Sequence, residues 1–81
     1  MSPSAAQLEA RRQFALAFSK QPRPNLDRVL GSNWSVGLEV YRLTDEQYFQ
    51  QAVKVFNKRI GIAHFAPTEK QLLFHRAGIH T

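Results

Sequence analysis

Trp34-Ser35-Val36-Gly37-Leu38-Glu39-Val40-Tyr41-Arg42-Leu43 is the stretch on which the fold class turns. Trp34, Val36, Leu38 and Val40 alternate with Ser35, Gly37 and Glu39, the period-two pattern of a half-buried strand. The same residues carry a helical pattern through Trp34, Leu38 and Tyr41. Gly37 is a poor helix residue and the two valines favour extended backbone, so the stretch is read as a strand over about 34–42. As a strand paired with a second one it makes the protein α+β; unpaired, it leaves a small helical bundle with an extended segment.

On its C-terminal side, Thr44-Asp45-Glu46-Gln47 has the form of a capping box, with Thr44 as cap and Gln47 reaching back. The helix it opens is expected to run to about Arg59, burying Phe49, Ala52, Val53, Phe56 and Ile60 at core-face spacing. Gln47, Gln50, Gln51, Lys54 and Lys58 take the other side, and acids at the start with Lys58-Arg59 at the end suit the helix dipole. Gly61 is expected to stop this helix. Residues 60–65 offer a brief second strand; paired with the first, it makes the helix between them a βαβ-type crossover. A second capping box, Thr68-Glu69-Lys70-Gln71, opens a last helix with Leu72, Leu73 and Ala77 on its apolar side, Phe74 beside them and Gly78 at its close. Thr68 to Ile79 has the look of the first helix and turn of a helix-turn-helix. With two residues left after Ile79, it is expected to be a capped terminal helix instead.

On the N-terminal side, Ser2-Pro3-Ser4 supplies a cap-type residue and a proline ahead of a helix over about Ala5 to Lys20. Ala10, Phe14, Ala17 and Phe18 form its buried stripe. Glu9, Arg12, Gln13 and Lys20 share the opposite face with Leu16, which extends a broad core stripe. Gln21-Pro22-Arg23-Pro24-Asn25 ends that helix, because a proline disfavours helical backbone in the residue before it. Asn25 caps a short turn, Leu26 to Leu30, that Gly31 terminates. The expected architecture is therefore a single mainly helical α+β domain of three helices, a short helical turn and one or two short strands.

Composition narrows the chemistry. The 81 residues hold one core, and 43% hydrophobic content with nine aromatics is enough to pack it. Cysteine is absent, which removes disulfides and thiolate-bound zinc. No apolar run nears the roughly 20 residues of a membrane span, and Arg11 and Arg12 lie where a signal peptide needs an apolar stretch. A cytoplasmic protein is the expectation. Net charge is +5, which favours acidic partners, yet the longest basic run is two residues.

No catalytic residue is assigned: no serine or threonine sits in a strained turn beside a histidine and an acid. Asp45-Glu46 is accounted for by helix capping. No metal or other cofactor is assigned either. His75 and His80 are five apart across Gly78, off the four-residue spacing that shares a helix face, and His64 is their one further candidate ligand. The single glycines at 31, 37, 61 and 78 make no phosphate cradle.

Two surfaces remain as candidate partner-binding sites. One is the Gln/Lys face of the 44–59 helix, with Gln47, Gln51, Lys54, Lys58 and Arg59. The other is Arg11 and Arg12, joined by Arg23 and Arg28 if the proline connector folds the short turn onto the first helix. The expected function is a small non-catalytic adaptor or regulator that docks through its basic and polar helix face on a protein with an acidic surface. The alternative is a nucleic-acid-binding module using dispersed Lys and Arg contacts to phosphates.

Overall fold

Thr44 Oγ1 accepts a hydrogen bond from the Gln47 amide at 3.1 Å, and Gln47 Oε1 accepts one from the Thr44 amide at 3.0 Å. This reciprocal cap starts the long helix where the sequence places it. The computed structural model describes residues 4–60 and 70–79. Helix α1 spans Ala5–Lys20, α2 Asp27–Leu30, α3 Asp45–Ile60 and α4 Lys70–Arg76, with a 3₁₀ turn at Val40–Arg42.

The expected α+β architecture is corrected: the described residues contain no strand. Between α2 and α3 the backbone satisfies itself locally. The amides of Trp34, Val36 and Leu38 donate to the carbonyls of Gly31, Asn33 and Ser35 at 3.1, 3.2 and 2.9 Å. Those of Arg42 and Leu43 donate to Glu39 and Val40 at 2.9 and 3.1 Å. A succession of turns leaves these groups nothing to offer a neighbouring strand. Gly37, at φ +87°, bends the chain through a conformation that residues with a Cβ rarely adopt. Trp34 is buried and Leu38 packs against the core, but Val36 and Tyr41 are each 79% exposed, so neither periodic pattern survives. The second candidate strand fails at its first residue, because Ile60 ends α3; residues 61–65 lie outside the described residues, as do Ser2, Pro3, Gly61 and the Thr68-Glu69 half of the second capping box.

One cluster of buried side chains draws on all four helices and on Trp34. Phe14 and Phe18 of α1 meet Phe56 and Phe49 of α3 with ring centroids 4.7 and 5.0 Å apart, and Trp34 stands edge-on to Tyr48 at 5.6 Å. Phe14, Phe49 and Phe56 are wholly buried, so α1 and α3 meet through aromatic rings. From α4 the buried contribution is Leu73. The α4 end is a Schellman turn: Gly78, at φ +77°, donates to His75 at 3.0 Å, and Ile79 to Phe74 at 2.9 Å.

The buried face of α1 is rotated from the expected one. Arg11, Phe14, Ala15 and Phe18 are buried, while Ala10 and Ala17 are only partly so. Its start is a capping box of its own, in which Ser4 Oγ accepts from the Gln7 amide and Gln7 Oε1 from the Ser4 amide. Gln7 then uses its other end, donating through Nε2 to the Ile60 carbonyl at 2.9 Å and tying the start of α1 to the end of α3.

Candidate functional site

The outer face of α3 presents the side chains that the core does not take. Lys54 and Lys58 are exposed one turn apart. Among the described residues the ion pairs are Arg12 with Glu9, Arg23 with Asp45 and Arg42 with Glu39, so no described carboxylate reaches either lysine. Like charges at this spacing repel weakly in the free helix, a small penalty that an acidic partner removes. Gln47 is exposed on the same side, but its carbonyl is committed to the Thr44 amide; Gln51 is half-buried.

Arg59 departs from this face. Its Nη1 donates to the Leu30 carbonyl, the last of α2, and so bridges α3 to the Gly31 turn. Gly31 is fitted to that contact: at φ +91° it takes a backbone that disfavours a Cβ, and a Cβ there would come 2.9 Å from Arg59 Nη1.

The set Arg11, Arg12, Arg23 and Arg28 does not converge. Arg23 turns to the start of α3, donating from Nε to Asp45 Oδ1 at 2.7 Å, from Nη1 to the Val40 carbonyl at 3.0 Å and from Nη2 to the Leu43 carbonyl. Its guanidinium also lies 5.6 Å over the Tyr48 ring. Arg23 is therefore the strut that holds the 3₁₀ turn onto the proline connector. Tyr48 completes that junction by donating from its hydroxyl to the Pro24 carbonyl at 2.9 Å. Burial pushes the Tyr48 hydroxyl above its ordinary pKa; Arg23 opposes the shift and Asp27 adds to it. Arg28 sits with Glu9, Ala10, Gln13 and Val29 around a separate shallow groove.

Arg11, expected at a partner surface, is only 9% exposed. Burial lowers its pKa, and the charge of Arg76 on α4 lowers it further. Arg12 is exposed, 4.0 Å from Glu9. Arg76, to which sequence reasoning gave no role, thus joins the Arg11–Arg12 pair. Nothing local points to this, because the neighbours belong to helices at opposite ends of the chain.

Lys70 Nζ lies 4.9 Å over the buried Phe49 ring, a cation–π contact that fixes the start of α4. His75 is exposed on α4, while His64 and His80 lie outside the described residues. No described helix is long and apolar enough to cross a membrane. Comparison with protein-family models, curated proteins and solved structures finds no significant match.

Proposed function

We propose that this protein is a small non-catalytic adaptor or regulator that binds an acidic protein surface through the outer face of α3. The supporting observation is the exposed pair Lys54 and Lys58, unmatched by any described carboxylate. The basic residues that would widen this into a phosphate-tracking surface are engaged elsewhere. Arg23 and Arg59 hold backbone carbonyls, Arg42 pairs with Glu39 and Lys70 covers Phe49. Two lysines flanked by glutamines suit a compact acidic patch better than a run of phosphates.

The test is charge reversal. Lys54→Glu/Lys58→Glu lies opposite the Phe49–Phe56 stripe, so the fold stays intact while the attraction becomes repulsion. The expected result is that proteins captured by the parent from nuclease-treated lysate of its own cells are lost with the variant. Duplex DNA and RNA are expected to bind more weakly than micromolar at about 150 mM salt. Sub-micromolar nucleic-acid binding at that salt, removed by the reversal, overturns the proposal in favour of the nucleic-acid module.

A further inference from the structure

Leu16 is an apolar residue of α1 that the core does not take. Expected to extend the buried stripe, it is instead half-buried beside Gln13 and Lys20, its neighbours one turn away on the exposed side of the helix. It joins neither the buried cluster nor the half-buried apolar side chains packed around that cluster. With Ala17 and Pro24 it lines a hollow of about 260 Å³ between the end of α1 and the proline connector. A second hollow, of about 330 Å³, lies between α1 and α2 with Ala10, Val29 and Arg28 in its walls. The two share Gln13 and so make one groove along α1 from Glu9 to Lys20. The helix rises roughly 16 Å over that distance, the reach of about five extended residues.

Lys20 stands in one half of the groove and Arg28 in the other. Both are exposed, and neither has a carboxylate partner among the described residues. The one acid in the lining, Glu9, already accepts from Gln13 Nε2 at 3.0 Å and lies 4.0 Å from Arg12. Side-chain amides of Gln13, Gln21 and Asn25 also face the groove. Asn25 gives its carbonyl to the Asp27 amide at 2.9 Å and keeps its NH₂ group to donate. Such amides match the alternating donors and acceptors of an extended peptide backbone. The lining holds no aromatic ring on which a base stacks, and two cations set apart by an apolar floor do not track the close, regular phosphates of a nucleic acid. A second copy of this chain brings the same cations to the same place, and its net charge of +5 opposes the approach. An acidic peptide fits. In extended backbone alternate side chains share a face, so a leucine with a glutamate two residues away on each side sets apolar contact on Leu16 and a carboxylate towards each cation.

We propose that the groove between α1 and the connector–α2 segment docks an extended acidic segment of a partner protein, its carboxylates on Lys20 and Arg28 and an apolar side chain against Leu16. The proposal rests on the reading of an acidic protein partner, and it gives that partner a contact that shares no residue with the α3 face.

The probe is a fluorescein-labelled peptide carrying that leucine and its two spaced glutamates, titrated against the full chain at about 150 mM salt by fluorescence anisotropy. Lys20→Gln/Arg28→Gln is expected to weaken binding about tenfold or more, through loss of charge-assisted hydrogen bonds. Leu16→Ser is expected to weaken it about threefold, through loss of apolar contact. Glu9→Gln is expected to tighten it, a gain that damage to the fold does not produce. An isomeric peptide with both glutamates at one end is expected to bind more weakly, since it leaves one cation unmatched. Lys54→Glu/Lys58→Glu is expected to leave the peptide's affinity unchanged. Absence of peptide binding, equal binding by the Lys20→Gln/Arg28→Gln variant, equal binding of the two isomers, or tighter binding of an oligothymidylate overturns the inference. If the α3 reversal abolishes peptide binding and the groove variant retains it, the groove fails while the proposed function stands. If the groove variant loses the peptide and the α3 reversal still captures the parent's proteins from lysate, the groove stands and the α3 face fails.

Discussion

Arg23 and Tyr48 together close the junction between the proline connector and the start of α3. The Arg23 fork spans a carboxylate and two backbone carbonyls, a geometry that a lysine ammonium cannot reproduce. Arg23→Lys is expected to lower stability by about 1–2 kcal/mol in urea unfolding, kept modest by the part-exposed Asp45 pair. Tyr48→Phe removes the donor to the Pro24 carbonyl and is expected to cost about 0.5–1.5 kcal/mol at neutral pH. Its pH dependence follows from the raised pKa. The folded state holds the phenolic proton more tightly than the unfolded chain, so this stabilisation is intact below the ordinary value of 10.0. It is lost as pH rises through the raised native value. The stability gap between parent and Tyr48→Phe should therefore narrow above about pH 10, and a gap constant to pH 11 or so would contradict the assignment. None of this was legible beforehand. An arginine between two prolines reads as solvated, and its partners lie some twenty residues downstream.

At the scale of elements, the readable parts were those whose cause is local. Thr44 with Gln47 and Gly78 after α4 act within a few residues, and each behaves in the structure as its sequence context implies; Asn25 accepts from the Asp27 amide, but the cap position of α2 falls to Leu26, one residue later than expected. The 34–43 segment was misread because alternation reports which side chains share a face, while a strand also requires a neighbour for its amides. Those amides close turns instead, and Val36 falls in water. The two positive-φ glycines here, Gly31 ahead of this segment and Gly37 within it, are expected to differ. Gly37→Ala meets backbone strain alone, since nothing lies within 4 Å of its added carbon, and should cost about 1 kcal/mol. Gly31→Ala adds a collision with Arg59 and disturbs the bond to Leu30. It should cost about 1 kcal/mol more, measured by thermal melting of the pair. Equal losses would mean that Arg59 swings aside freely.

For the whole molecule, the aromatic centre sets the margin. Phe56 is fully buried against Phe14, and Phe56→Ala is expected to remove about 3–5 kcal/mol, enough to leave so small a domain near its unfolding midpoint. A melting temperature within a degree or two of the parent would refute that weight. The α3 half of this centre was readable from the spacing of its apolar residues. The α1 half was readable in Phe14 and Phe18 and missed in the rotation of its face: Arg11 and Ala15 are buried where Ala10 and Ala17 were expected, and no residue pattern within α1 says that α4 docks beside Arg11.

Gln7 has a kinetic consequence. One amide side chain holds the Ser4 amide and the Ile60 carbonyl at once, so the first turn of α1 and the last turn of α3 should fray as one opening unit. Gln7→Glu separates them: glutamate still accepts from Ser4, but it has no proton to give Ile60. In native-state deuterium exchange, the parent is expected to release both turns at a shared rate. The glutamate variant should keep the α1 turn protected while the α3 turn exchanges about tenfold faster, as the net loss of roughly one hydrogen bond dictates. Unequal rates already present in the parent would sever the two turns.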